Sequence, residues 1–389
     1  MTSQSVRTTK SVYFPLNWRV WQLLGAVALN DRAYESHQFW FAVVLNLLAT
    51  VVYPMTLLMA MFSFELPLDN LMNFNISITS VATVAKFLMY TRRMQKLNEF
   101  EQVLVELEKR VNHDIEAQHV MHKSMCKELS LITKMYIATF CCVAITTELP
   151  CLFIAERTLP FPTWFPLDWK SSLSNYVIAL TYQFLSITTQ ILQNFVDDLF
   201  PPLTLCLVAR NCELLINRIG LIGYDDQSDE RTNEQLLFNC IRDQQQLYRL
   251  LDLAMDMISG PMLVQFIVIA IILGTAMCGL VFYVETQQDR FYYIFFIYGL
   301  FMQIFPICYY GTLVEDVFER LHYAVFNSNW VEQSIVYRRT AIIFAQRTQK
   351  FPKLLAGNVI PIALTTFLGN CKGAYSFFTL IADSRKAPQ

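Results

Sequence analysis

FWFAVVLNLLATVVYPMTLLMAMF, residues 39–62, contains no charged residue in 24 positions. At 1.5 Å per residue, such a helix crosses a hydrocarbon core about 30 Å thick. The composition extends that reading to the whole chain. Of 389 residues, 54% are apolar and only 16% charged, and the mean hydropathy is +0.35, well outside the usual balance of soluble domains. This is the sequence of an integral membrane protein.

Six further apolar runs follow at about Leu71–Tyr90, Leu129–Ile154, Leu173–Val196, Pro261–Val284, Phe291–Gly311 and Pro352–Ile381. The fold class is therefore all-α, a polytopic membrane protein of seven spans. Charge orients it. Twenty-two of the thirty Lys and Arg residues fall in the N-terminus, 91–128, 210–250 and 313–353, whereas the alternate loops hold only Arg157, Lys170 and Arg290. Basic residues are retained on the cytosolic side, so the N-terminus is expected inside and the C-terminus outside. Met1–Lys10 is polar and unlike a cleavable signal, so the first span is expected to act as its own signal-anchor. A net charge of −2 leaves no basic stripe for nucleic acid.

The expected organisation is a cytosolic segment at 1–38, spans one to six with helical extensions at 39–311, cytosolic anchor helices at 312–351, a seventh span at 352–381 and an external tail at 382–389. The extensions are amphipathic. Leu97, Phe100, Val103, Leu104, Leu107 and Val111 recur at helical steps among charges, which suggests a packed intracellular bundle. Segment 2 carries Asn73, Asn75, Ser77, Thr79, Ser80 and Thr83, which must face protein or water, and Lys86, which is expected to snorkel towards Arg92 and Arg93. Asn75-Ile76-Ser77 is a glycosylation sequon placed inside a span. In segment 4, Asp197-Asp198 and Pro201-Pro202 are expected to end the membrane part and interrupt the helix. Pro150 is expected to kink segment 3. The external loop 156–172, rich in Pro and Trp, has a rigid, lid-like composition.

Other chemistry is weakly represented. His119 and His122, with His113 nearby, lie on an extension with no carboxylate-bearing metalloprotease motif around them. The ten cysteines are mostly in spans or on the cytosolic side and form no disulfide framework. Glu148, deep in an outer span, is the better functional candidate, with pairing to a hydroxyl or to Arg157 as the alternative. No internal repeat supports a transporter. No enzymatic activity, cofactor or metal is expected.

Within the seventh span, Asn370, Lys372, Ser376, Thr379 and Asp383 make a polar stripe interleaved with Phe367, Leu368, Phe377, Phe378 and Leu380. It reads either as a water-facing pore helix or as an ordinary packed helix. As a pore, Ser376 is a hydrated step, Leu380 a hydrophobic constriction beside Phe377, and Asp383 an outer charge attracting cations. Lys372 opposes simple cation conduction and must then point away or pair.

Tyr310-Gly311, Trp330, Arg338-Arg339, Pro352, Ala356-Gly357, Pro361, Phe367 and Tyr375-Ser376-Phe377-Phe378-Thr379-Leu380, in that spacing, resemble the C-terminal signature of insect odorant receptors. Val331, Leu355 and Phe377 depart from the usual pattern but keep apolarity. The resemblance implies a ligand-gated, nonselective cation channel in which a tuning subunit assembles with a shared co-receptor as a tetramer. It further implies seventh helices lining the pore, inner helices forming an anchor, and a site in the plasma membrane of olfactory sensory neurons, in their dendrites. The short loop between segments 4 and 5 resembles that of a tuning subunit. The resemblance also implies a ligand pocket for a small volatile in the outer halves of segments 2, 3, 4 and 6, where Met72, Ile76, Thr146, Thr147, Tyr176, Leu180, Phe184, Tyr292, Phe295 and Phe296 are the candidate contacts. A gustatory-type receptor channel shares the topology. A G-protein-coupled receptor shares the span count but needs the opposite orientation.

Overall fold

The computed structural model describes residues 13–30, 36–62, 64–111, 116–148, 158–225, 229–284, 286–350 and 353–386. Pro150, Cys151, Arg157 and Pro352, and the side chains of Val111, His113, His119 and His122, lie outside the described residues. Helices dominate: α1 (Pro15–Leu23), α2 (Ala26–Asn30), α3 (Ser36–Asn46), α4 (Tyr53–Met59), α5 (Pro67–Val111), α6 (Glu116–Glu148), α7 (Leu173–Gly220), α8 (Glu230–Phe282), α9 (Gln287–Ala324), α10 (Ile335–Thr348) and α11 (Leu364–Lys386). Six helical runs among the described residues are long and apolar enough to cross a membrane. Helix α8 has 53 residues and reaches about 80 Å, more than twice the hydrocarbon thickness.

The surplus length of α5 to α9 forms the basic end of the molecule. Leu97, Phe100, Val103, Leu104 and Leu107 are all buried there, as their helical spacing requires. Ion pairs bridge the extensions: Lys96 to Asp256 and Glu99 to Arg249 join α5 to α8, and Arg218 to Asp243 joins α7 to α8. Arg210 of α7 grips Glu128 of α6 through Nε and Nη2 at 2.6 and 2.8 Å, and Tyr310 of α9 donates to the same carboxylate at 2.9 Å.

Helix α7 is central, and it corrects the expectation that Asp197-Asp198 and Pro201-Pro202 break the helix. It runs unbroken through all four residues. Residues 193–209 are buried on every side, so packing from all round holds the backbone where the two prolines remove helical hydrogen bonds. Four helix N-termini, those of α7 to α10, are capped locally: Ser172 accepts from Asn175 N–H, Asp229 from Thr232, Thr286 from Asp289 and Ser334 from Tyr337.

The opening apolar stretch forms one helical run with a π-helical insert at Leu47–Val52, just before Pro54. The widened turn presents carbonyls sideways, and α7 uses them: Tyr182 OH donates to Leu48 O and Gln190 Nε2 to Ala49 O, both at 3.0 Å. Gln193 donates to Thr50 Oγ1 at 2.9 Å.

The seventh apolar segment is not helical from its start. Residues Leu355–Ala356 and Ile360–Pro361 pair as an antiparallel hairpin, β1 and β2, with Gly357 and Asn358 at φ +57° and +60°, left-handed values that a helix cannot contain. The hairpin is pinned to α8 by Gly357 N–H on Ser259 O at 3.0 Å and by Ser259 Oγ on Leu355 O at 2.7 Å. It also presses on α9, where a Cβ at Gly311 would lie 2.0 Å from Ile362 O. Gly311→Ala is therefore expected to cost about 1–3 kcal/mol and lower the Tm of the solubilised protein. Gly369→Ala, with nothing within 4 Å, is expected to leave Tm unchanged or raise it slightly.

Candidate functional site

Between α4, α5, α6, α7, α8 and α9 lies a cavity of about 120 Å³ with a mostly apolar lining. Phe140, Val143, Ile187, Ile269 and Ile272 form its walls, and Tyr292 and Phe296 stack at 5.8 Å and 9° along one side. Phe161, buried to 4% exposure, enters from the loop between α6 and α7. That loop is tied across the cavity. Asn73 Nδ2 donates to Pro162 O at 2.8 Å, Gln183 Nε2 to Phe161 O at 2.9 Å, and Trp164 N–H to Thr56 O at 3.2 Å. A segment whose backbone oxygens are held by buried amides is a fixed cover.

Of the ten candidate ligand contacts, the structure brings Ile76, Thr147, Tyr292 and Phe296 together on this cavity. Met72 lies half-buried one turn from Ile76. Thr146 turns its hydroxyl to Cys142 O of its own helix. Tyr176 donates to Thr158 O at 3.0 Å and lies tilted against Trp169 at 6.3 Å. Leu180 and Phe184 are half-buried on α7 away from the lining, and Phe295 points outward at 39% exposure. The cavity reaches deeper than the outer halves of the spans. Sequence reasoning missed Tyr53 and Phe161, and also the deep polar group Gln190, Asn194, Gln265 and Gln303. The four-residue step from Gln190 to Asn194, on one face of the span, was the available signal.

Beneath the cavity lies the most consequential polar contact. Lys86, 1% exposed, does not snorkel to Arg92 and Arg93 as its position suggests. Its ammonium donates to Asn194 Oδ1 at 2.7 Å, Asp198 Oδ1 at 2.5 Å and Gln265 Oε1 at 2.6 Å. Three protons meet three acceptors, so a charge taken out of water keeps every hydrogen bond. The aspartate that was expected to end the span is the counter-ion. Asp197 accepts from Trp21 Nε1 at 3.3 Å, and Asn17 donates to Val196 O at 2.8 Å, so α1 seals the same layer.

Glu148 accepts from Thr188 at 3.1 Å, the hydroxyl pairing. Asn75 is 2% exposed and accepts from Thr275 at 2.5 Å, which buries the sequon. On α11, Thr365, Gly369, Lys372, Ser376, Leu380 and Asp383 are exposed along one stripe that faces away from the bundle, with Leu380 at 69%. Phe377 flanks it and packs against Gly274, where a Cβ would lie 2.7 Å from its ring. Lys372 therefore shares the face of Ser376 and Leu380.

Membrane-length helices around a covered, mostly apolar cavity, with a polar stripe on a separate outward helix, define a multi-pass membrane receptor for small molecules. The comparisons specify which. The family model described as 7tm Odorant receptor matches residues 66–375. Odorant receptor 23a of Drosophila melanogaster is 43% identical over 97% of both chains, and Odorant receptor 59a of the same species is 33% identical over 98% of this chain and 99% of its own. The solved olfactory receptor OR5 of Machilis hrabei in complex with eugenol shares the fold at a TM-score of 0.79 and 14% identity, covering 96% of this chain and all of that one. The chain belongs to the insect odorant receptor family, a family of membrane receptors and not of enzymes, and the G-protein-coupled and gustatory alternatives give way to it.

If the Lys86 ammonium holds this layer together, removing it strands a buried carboxylate. Lys86→Met is expected to destabilise by about 3–5 kcal/mol and sharply reduce surface expression. Lys86→Met combined with Asp198→Leu is expected to recover much of it, as measured by surface labelling and Tm.

Proposed function

We propose that this receptor is the ligand-binding tuning subunit of an odorant-gated, nonselective cation channel, assembled as a heterotetramer with the family's shared co-receptor. It resides in the plasma membrane of olfactory sensory neurons, in their dendrites. The N-terminus and the basic end face the cytosol, where the extensions of α5 to α9 with α10 form the anchor, and α11 runs outward. The alternation of Lys and Arg supports this orientation.

The covered cavity carries the reading. At about 120 Å³ it approaches the ~150 Å³ scale at which an apolar protein cavity holds benzene. A small volatile with one or two polar atoms is the ligand class that such a volume and lining favour, and a fold relative solved with eugenol supports a small organic ligand. Ile76, Thr147, Tyr292 and Phe296 are the proposed contacts from the sequence reading, joined by Tyr53, Phe161 and the deep amides. Burying a volatile here displaces water from apolar walls and is limited by shape more than by polar contacts.

The exposed stripe of α11 supports a pore lining of Ser376 and Leu380, flanked by Phe377 and ending at Asp383. Polar steps interrupted by one exposed leucine suit a path that closes by dewetting. Coexpressed with the co-receptor, the chain is expected to give odorant-evoked cation current, and silence to a broad odour panel despite surface expression would overturn the assignment. Gly299→Leu, which fills the cavity beside Val143, is expected to raise the half-activating odorant concentration by about tenfold or more while surface expression holds. Leu380→Ala is expected to increase current without odorant. Lys372→Gln is expected to raise single-channel conductance, because a fixed positive charge beside the path repels cations.

A further inference from the structure

The orientation of the cavity's amides follows from one rule of hydrogen-bond chemistry. An ammonium has three donors and no acceptor, whereas an amide has an acceptor at one end and two donors at the other. Lys86 therefore commits the oxygens of Asn194 and Gln265, at 2.7 and 2.6 Å. With its oxygen committed, Gln265 turns its NH2 to Gln303 Oε1, at 3.2 Å. That contact in turn commits the oxygen of Gln303. Asn194 and Gln303 both line the cavity, and the end of each amide that this chain leaves unengaged is its NH2. The Lys86 ammonium and the Gln265 amide link the two in one chain of contacts at the deep end of the lining.

Among the surrounding hydroxyls, Thr79, Thr83 and Thr139 donate to carbonyls of their own helices, at 2.8, 2.8 and 2.9 Å, whereas those of Ser80 and Tyr53 are buried in the lining without a partner and add further donors. Gln190 is turned the other way, its NH2 spent on Ala49 O, so its oxygen lies one helical turn from the donor pair.

We infer that the deep end of the cavity is a carbonyl-oxygen site: ketones, aldehydes and esters are held there by the amide N–H groups of Asn194 and Gln303, whose orientation Lys86 imposes. The inference rests on the cavity being the odorant site and adds the class of functional group that it selects. Lys86 acts as a positioning residue, and the apolar walls take the remainder of the ligand. A hydrocarbon of the same shape fills the walls equally well but leaves two buried donors without an acceptor, which is the costly outcome for a polar group.

The test uses the full receptor coexpressed with its co-receptor. The probes are medium-chain methyl ketones, each paired with the alkene in which the carbonyl oxygen is replaced by CH2. Each ketone is expected to activate at a concentration about threefold to tenfold lower than its alkene. Asn194→Asp keeps the acceptor for Lys86 and removes the inward donor, and Gln303→Met removes the other donor. Each is expected to bring the ratio towards one, a readout that loss of expression alone does not move. Equal potencies in the unmodified receptor, or a ratio unchanged in both variants, would overturn the inference. Gly299→Leu separates the two readings. If it weakens ketone and alkene alike while their potencies are equal, the cavity remains the odorant site and only the carbonyl preference falls. If it affects neither compound, or if the receptor at the surface is silent to every odorant, both fall.

Discussion

A single ammonium buried between three helices is the constraint on which this structure depends. Lys86 reaches from α5 to α7 and α8, and each of its protons has one acceptor. Its charge cannot return to water, so those helices cannot separate without breaking an ion pair in a low-dielectric interior. The surrounding layer is built to tolerate that demand. Asp198 supplies the counter-charge, α1 closes the side with Trp21 and Asn17, and residues 193–209 of α7 are enclosed throughout. The same contact sets the floor of the cavity, so the packing of the layer and the polar character of that floor share one group of side chains.

The parts of the fold legible in the sequence are those set by periodicity and composition. The charge-free run at 39–62, the stripe from Leu97 to Leu107 and the polar character of segment 2 all translate directly into helices and buried faces. Features that depend on a distant partner were not legible. Asp197, Asp198, Pro201 and Pro202 look like a terminator in one dimension, because nothing local says that a lysine more than a hundred residues away pairs with Asp198, that Trp21 donates to Asp197, or that neighbours enclose the prolines. The hairpin at 355–361 was hidden inside an apolar run. Only Gly357-Asn358 hinted at it, and the close approach to Gly311 needs three dimensions. The π-helical turn before Pro54 has no sequence signal beyond that proline, since its carbonyls gain their value from Tyr182 and Gln190 on another helix. The cavity was partly legible for the same reason. Aromatic and aliphatic residues fill any span, so Tyr292 and Phe295 look alike until the helix is oriented.

These relations give the signature residues physical roles. Tyr310 joins α9 to the Glu128 and Arg210 pair, Gly311 admits the hairpin backbone, and Gly357 makes the left-handed turn and donates to Ser259. Together they fix where α11 begins, because Leu364 N–H is taken by Thr312 Oγ1 at 2.9 Å. The outward stripe of α11 is aimed by a clasp at its base, while most of that stripe has few contacts of its own.

The cavity and that stripe meet through two helices. On α9, Leu300 and Gln303 line the cavity, while Phe301 and Phe305 of the same turns pack against Phe367 of α11 at 6.0 and 5.5 Å. On α8, Ile269 and Ile272 line the cavity, while Gly274 receives Phe377 and Phe282 stacks on Phe378 at 5.6 Å. Adjacent residues on one rigid helix cannot move independently, so a ligand that shifts either wall also shifts an aromatic seat of α11. Gln303 is the sharpest case. It is held on one side by the chain that starts at Lys86, faces the cavity on the other, and lies between Phe301 and Phe305 on α9. A ligand oxygen bound there would pull on a helix already anchored to the buried charge, and that pull would reach α11 through its seats at Phe367, Phe377 and Phe378. A stiff floor and a helix seated on both walls are the arrangement in which a shift of the cavity reaches α11 with little loss to deformation of the floor itself.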